Sequence, residues 1–378
     1  MPKLVISTVG TSLLTNQIDN FDPENWLKRL QKTANDQNDS IQTNHPDVAE
    51  MLAELESRAR ETLFNDDKEI SQIREASAEL NGIYGLYQQK LSQGKTDVHW
   101  LVATDTAQGQ VTAKILRDFL NAEGLVVEIY TPNGFSTFST ETFTQGIDEF
   151  LQWLDETLPG YQESQYQICF NLVGGFKALQ GYANAIGMFY GAEIIYVFEG
   201  NFEVITIPRL PIQIDTSAIE PVQFALMAAG AEVKVSKLDG VPETLIFVVD
   251  DEATLSNWGR LIWNSHKSKF LSGDLLDFPR IEYQESFRAD YNQVKVEKER
   301  VKLQEALALV SYLLEESQGD TSILKKPGLK MQYDKYVNMG DMAHFRINRG
   351  LRVSCTSFHG TLLLHRYGKE PDVNKNPW

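Results

Sequence analysis

Residues 166–177 read Tyr-Gln-Ile-Cys-Phe-Asn-Leu-Val-Gly-Gly-Phe-Lys. An apolar run of strand length, 166–172, meets two glycines and then a stretch, about 176–188, whose apolar residues recur at helical spacing. This strand, tight turn and helix form one βα unit, and the unit repeats on both sides. Strand 98–103 precedes a helix at about 110–122, strand 125–130 precedes a helix at about 142–157, and strand 192–197 follows the quoted segment. Such alternation predicts a parallel sheet joined by right-handed crossovers. Toward the N-terminus, Leu4 to Val9 is an apolar, β-branched run suited to a strand covered on both faces, and it stops at Gly10. Toward the C-terminus, Phe202 to Pro208 reads as a closing edge strand, antiparallel to its neighbour, and the domain is expected to end near 215. A polar insertion at about 20–95 has helical spacing in its second half (Met51, Leu52, Leu55, then Ile70, Ile73, Leu80) and reads as helical elaboration outside the core.

Beyond 215 the pattern changes. Residues 216–280 read as a connector, with a helix near 218–230, a strand at 244–249 and a tryptophan-bearing helix near 253–267. From Ile281 the order is a strand, a helix at about 292–317, a loop rich in lysine and glycine, and three short strands at 343–348, 351–357 and 361–366. The expected fold is therefore α/β: a Rossmann-like domain over 1–215 with a parallel sheet, a small connector over 216–280, and a compact α+β domain over 281–378.

The chain carries 35 Lys+Arg against 52 Asp+Glu, a formal net charge of −17, which would argue against a nucleic-acid partner if it were evenly spread. It is not. Residues 321–378 hold 10 basic and 4 acidic side chains, together with His344, His359 and His365 out of six histidines. A basic, histidine-bearing tail on an acidic body points to an anionic partner for the tail. No apolar run reaches the roughly 20 residues that a bilayer span needs, and Met1-Pro2-Lys3-Leu4 enters a strand instead of a signal segment, so a cytoplasmic chain with no membrane partner is expected. Cys169 and Cys355 lie in apolar strand-like runs and read as buried free thiols, with structural zinc excluded.

In an open parallel sheet, ligands sit beyond the carboxyl ends of the strands, where loops and helix N-termini turn backbone N–H groups toward anions. The qualifying loops are Gly10-Thr11-Ser12, the stretch from Ala103 through Thr106 to Gln110, Thr131-Pro132-Asn133-Gly134, and Asn171 to Lys177. Small hydroxyls, glycines and a lysine opening a helix form a phosphate-friendly set. Neither GxxxxGK[ST] nor a GxGxxG fingerprint in the first turn is present, which disfavours a nucleoside triphosphatase or a dehydrogenase.

Taken together, Val9-Gly10-Thr11-Ser12-Leu13-Leu14 and Asn171-Leu172-Val173-Gly174-Gly175-Phe176-Lys177 resemble the paired motifs of CARF domains from type III CRISPR systems, over about residues 1 to 215. The resemblance implies a homodimer that binds a cyclic oligoadenylate, with cyclic tetra-adenylate the favoured ring, at two sites facing each other across a two-fold axis. Carried over by position, Gly10, Thr11, Ser12, Gly174, Gly175, Phe176 and Lys177 would line the ligand, with Thr106 and Asn133 from the flanking loops. In some CARF proteins the serine and lysine of these motifs also support slow cleavage of the ring, which Ser12 and Lys177 would do here. The ring is an activator, and no cofactor is expected.

In the tail, alternation places His344, Arg346 and Asn348 on one strand face, Gly350 marks a tight turn, and Arg352 opens the next strand. The last strand, Leu362-Leu363-Leu364-His365-Arg366, runs into Tyr367-Gly368-Lys369. A concave basic face without a carboxylate cluster to hold a metal suits metal-independent RNA cleavage, in which the 2′-hydroxyl attacks the adjacent phosphate, cations stabilise the developing charge and a proton donor assists the leaving oxygen. From about 281 onward this stretch resembles the RelE/ParE superfamily of ribosome-dependent mRNA interferases. The resemblance implies an endoribonuclease acting on mRNA, on or off the ribosome. The catalytic candidates are Arg346, Arg349, Arg352, His365 and Lys369, with His365 the first choice for proton transfer and His344 the second. The departures are Asn348 at a second basic position, Glu370 after Lys369 where an arginine is common, and Trp378 where a tyrosine is common.

Three alternatives compete. Arg352 and His359 fit the R-x4–6-H spacing of a HEPN ribonuclease, but that motif belongs on a helix and this stretch alternates like a strand. Asp215, Glu232 and Lys234 formally match a metal-dependent nuclease pattern. The tail could also bind nucleic acid without cutting it.

Overall fold

The computed structural model describes all residues except 24, 66, 199–201, 212–214, 327 and 330. The chain divides into two compact units, Met1–Gln213 and Ile214–Trp378.

In the first unit, β1 (Lys3–Thr8) leads through a single helical turn, α1 (Ser12–Thr15), into the insertion. The insertion is helical: α2 (Trp26–Lys32), α3 (Asn38–Asn44), α4 (Pro46–Leu63), α5 (Ile70–Ala76) and α6 (Ala78–Leu86). The βα rhythm then follows the sequence closely as β2 (Val98–Val102), α7 (Ala107–Ala122), β3 (Val126–Tyr130), α8 (Thr140–Glu163), β4 (Gln167–Asn171), α9 (Lys177–Tyr190), β5 (Glu193–Val197) and β6 (Val204–Pro208). The sheet order is β3-β2-β1-β4-β5-β6; β1 to β5 run parallel and β6 closes the edge antiparallel to β5. The connection reverses direction between β1 and β4, and this switch opens a crevice at their carboxyl ends.

The insertion does not lie outside the core, as its polar composition implies. Met51, Leu52 and Leu55 of α4, with Ile73 and Leu80, join Leu13, Leu14, Leu101, Leu116 and Phe119 in one buried cluster. The reason is the period: the apolar residues of α4 fall on one face, and that face packs on α7. A side chain as fully buried as Leu55 contributes roughly 1.5–3 kcal/mol.

The second unit opens with α10 (Pro221–Ala228), a small antiparallel sheet of β7 (Val233–Lys234), β8 (Ile246–Val249) and β9 (Glu252–Leu255), and α11 (Asn257–Leu271). It continues with β10 (Ile281–Tyr283), α12 (Glu285–Gln293), α13 (Glu297–Glu316), β11 (Asp334–Lys335), β12 (Ala343–Arg346), β13 (Leu351–Phe358), β14 (Thr361–Lys369) and α14 (Glu370–Lys375). The expected helix at about 292–317 is present as α13, starting a few residues later, and a separate helix, α12, precedes it across residues 294–296. The five-stranded sheet runs β10-β14-β13-β12-β11. One cluster of buried side chains extends from Ile219 through Trp263 and Leu307 to Leu364 and Tyr367, so residues 216–280 and 281–378 share a core. Between β13 and β14 the register shifts at Ser354/Cys355: Ser354 faces Arg366 and Cys355 faces Leu364, leaving His365 as the extra residue of a β-bulge.

Candidate functional site

The crevice between β1 and β4 is built from backbone. A methyl group placed on Gly10 would lie 2.9 Å from the Gly175 nitrogen, so the two sequence motifs touch main chain to main chain. Gly175 has φ +102°, a conformation that side chains resist. Thr8 Oγ1 donates to the Gly174 carbonyl at 2.6 Å and ties the second motif to the end of β1. Lys177 is exposed at the first position of α9, beside these loops.

A residue that sequence reasoning missed completes the crevice. Glu79, fully buried at the start of α6, accepts from the Gly10 N–H at 2.7 Å and from Ser77 Oγ at 2.6 Å. A methyl on Gly174 would sit 2.0 Å from its Oε1. Ser12 Oγ meanwhile accepts from the Ala78 N–H at 3.1 Å, so the same helix start engages both loop motifs. The sequence signal was the Ser77-Ala78-Glu79 helix opening, but its partner is 69 residues away.

Of the other ligand candidates, Thr106, Phe176 and Asn133 hold contacts within the protein. Thr106 is buried as the N-cap of α7, accepting from Gly109 N at 3.2 Å, and its hydroxyl also meets Thr104 Oγ1 at 2.8 Å. Phe176 packs edge-on against Phe135 and Phe143. Asn133 is exposed, and its N–H and amide both donate to Glu149. Thr11 precedes α1 without a side-chain cap bond.

Beside this crevice lies a cavity of about 680 Å³ lined by Ser12, Arg74, Asn81, Gln180, Phe198 and Phe202 among others.

In the second unit the pairing places Arg346 directly opposite Arg352, and His344 opposite Ser354. The concave open face expected from the sequence is closed. Arg352 is 5% exposed and ion-paired with Glu370, and its Nε, like that of Arg346, is buried without a partner among the described residues. Ser354 Oγ donates to the Pro377 carbonyl at 2.6 Å, and the Tyr336 hydroxyl to Asn374 Oδ1 at 2.8 Å. His365 is 7% exposed, bonded through Nε2 to Thr356 Oγ1 at 2.8 Å, with its ring edge-on to Trp378 at 5.2 Å. Residues 370–378 thus lie over the strand face that carries Arg352 and His365. Burial holds the His365 pKa below the ordinary imidazole value. The same direction applies to His344, where burial leads and the Arg352 charge adds.

Asn348 is not on the strand face with His344 and Arg346. It lies in the turn, where its Oδ1 accepts from the N–H groups of Gly350 and Leu351 at 2.8 and 3.0 Å. Arg349 and Lys369 are exposed at that end of the sheet. Arg352 lies near the start of β13 and His359 in the turn just past its end, so the residues between them are extended strand and not the helix that an R-x4–6-H motif needs. Glu232 flanks β7 beside Glu252, whereas Asp215 caps a turn at Ser217. Both cysteines are free and buried. Among the described residues, no helix is long and apolar enough to cross a membrane.

Residues 74–210 match the family model described as CRISPR-associated protein (Cas_APE2256), less than half of the chain and wholly within the first unit. The match begins at Arg74 and takes in β2 to β6 with the Gly174-Gly175 loop. For this part of the chain it indicates a CRISPR-associated protein family.

Proposed function

We propose that the chain is an ancillary effector of a type III CRISPR system, whose first unit, as a homodimer, binds a cyclic oligoadenylate at the β1/β4 crevice. Cyclic tetra-adenylate is the favoured ring. Binding biases the second unit toward metal-independent cleavage of mRNA, on or off the ribosome. The observation that carries the reading is the main-chain contact between Gly10 and Gly175 with Lys177 exposed beside it. Side-chain-free loops admit a phosphate close to backbone N–H groups other than that of Gly10, which Glu79 already holds, and the lysine supplies the charge. Ring opening would use Ser12 and Lys177, with Ser12 first leaving the Ala78 N–H. The messenger shifts the equilibrium only by binding the active form more tightly.

For the second unit the chemistry would rest on Arg346 and Arg352 as neighbouring cations, Arg349 and Lys369 at the rim, and His365 as proton carrier. Residues 370–378 must leave the sheet before RNA can reach Arg352. The burial of Arg352 and His365 equally favours a second reading, a regulator whose tail binds nucleic acid without cutting it. One experiment separates them: the chain with and without cyclic tetra- or hexa-adenylate, given naked or ribosome-bound mRNA in EDTA. Fragments with 2′,3′-cyclic phosphate and 5′-hydroxyl ends that depend on the ring support the interferase. Ring binding without cleavage leaves the regulator. A chain ending at Lys369 should cut without the ring if the covering segment is the restraint.

A further inference from the structure

The cavity beside Ser12 contains a buried cation with no counter-charge among the described residues. Arg74, 3% exposed at the end of α5, donates from Nε to Asn81 Oδ1 at 2.8 Å and from Nη2 to the Phe202 carbonyl at 2.8 Å, and its guanidinium lies 4.4 Å from the Phe202 ring centre. All its hydrogen-bond partners are neutral, and no described carboxylate lies within ion-pair distance. Glu75 also lines the cavity but is exposed and makes no ion pair with Arg74. Burying a guanidinium without an opposing charge is costly, and its pKa is drawn below the ordinary value by that burial alone. A chain that keeps such a charge against a cavity wall is prepared for an anion from outside.

The rest of the wall narrows the anion's class. Phe198 is 52% exposed and Phe202 38% exposed, so the β5–β6 hairpin offers aromatic surface at the rim. Asn16, Asn81 and Gln180 line it with amides that each hold a bond already, Asn16 Nδ2 to the Glu75 carbonyl, Asn81 Oδ1 from Arg74 and Gln180 Nε2 to the Leu172 carbonyl. They keep further capacity to donate or accept, and the Tyr196 hydroxyl lies beside them, bonded to Asn184 Nδ2 at 2.5 Å. A single buried cation, stacking surface and amide edges suit one nucleotide, with its phosphate on Arg74 and its base against the phenylalanines. The volume falls in the range of small-molecule sites, roughly 300–1,000 Å³.

We infer that this cavity is a nucleotide pocket in which Arg74 binds a phosphate, adjoining the β1/β4 crevice through Ser12. It deepens the sensor reading, on which it rests for one thing only, the expectation that the nucleotide belongs to an adenylate ring or to a strand released from one. The pocket itself rests on Arg74 and its surroundings.

The test is calorimetry on the full chain with adenosine 5′-monophosphate as the probe and cyclic tetra-adenylate in parallel. Arg74→Gln should weaken monophosphate binding about tenfold or more, Arg74→Lys only about threefold, and Phe198→Ala about threefold or more. Thermal unfolding of each variant checks the fold. Should Arg74→Gln fail to fold, Arg74→Lys and the rim variant Phe198→Ala decide, and parental affinity in both overturns the pocket. No uptake of monophosphate by the parent chain, or equal uptake by a folded Arg74→Gln, also overturns it. Arg74-dependent monophosphate binding in a chain that ignores cyclic tetra-adenylate would uphold the pocket and remove the sensor reading. Lys177-dependent ring binding with no monophosphate uptake would do the reverse.

Discussion

The β1/β4 crevice and the polar face of the second sheet gather similar residues, glycines, hydroxyls and cations, by opposite routes. In the crevice, close main-chain contacts leave the cation outside: Gly10 meets Gly175, and Lys177 remains exposed. On the sheet face, Arg352 and His365 are held inside by side chains and carbonyls from residues 370–378. A ligand can reach the first arrangement as it stands. The second is covered by that segment, and its residues hold structural contacts there.

The comparison breaks first at the glycines. Gly174→Ala forces a methyl against Glu79 and should cost about 3 kcal/mol in urea unfolding, whereas the methyl of Gly350→Ala would meet only Asn348 Oδ1 at 3.9 Å and should stay within about 0.5 kcal/mol. Equal losses would mean the crevice is no tighter than the turn.

Acid probes the first unit's interior. His99, fully buried against Tyr87 and its partner Asp97, has its pKa lowered to about 4 by burial, with the Asp97 charge opposing. The neutral ring is the folded form. Its contribution is complete above about pH 6.5 and is lost as pH falls from there through about 4, up to about 3 kcal/mol. His99→Gln should flatten that part of the stability profile measured by urea unfolding between pH 7 and 4.

Arg352→Ala sharpens the contrast on the other sheet. Single-turnover RNA cleavage should fall about 10²-fold while cyclic tetra-adenylate affinity stays at the parental value. Loss of both would show that Arg352 serves the fold alone. The smallest expected effect is at Lys177: its exchange for alanine should weaken ring binding about tenfold in calorimetry and leave the unfolding temperature unchanged, because the side chain is exposed.

The first sheet was legible because its signals are local. Apolar runs of strand length alternate with amphipathic helices, and the antiparallel edge at 204–208 followed from Phe202 to Pro208. The meeting of Gly10 with Gly175 depends on the pairing of β1 with β4, which the order of elements along the chain does not state. What was not legible depends on distant partners. Glu79 looks like an ordinary first-turn helix acid until its bond to Gly10 is seen. Thr106 reads as a free hydroxyl until it caps α7. Strand alternation located Arg346 and Arg352 but could not foresee that Glu370, one of the departures from the family pattern, neutralises Arg352.

The bulge at His365 has its own consequence. Leu362 and Leu364 lie in the core, two residues apart as a strand requires, but the next core residue on β14 is Tyr367, three further on. An unbroken two-residue count would have turned Arg366 inward and Tyr367 out. The extra residue works as a frameshift in that count: Arg366 reaches Asp290 at 2.7 Å instead of the core, and the Tyr367 hydroxyl reaches Glu299 at 2.9 Å. One inserted position thus changes which side chains of β14 belong to the interior.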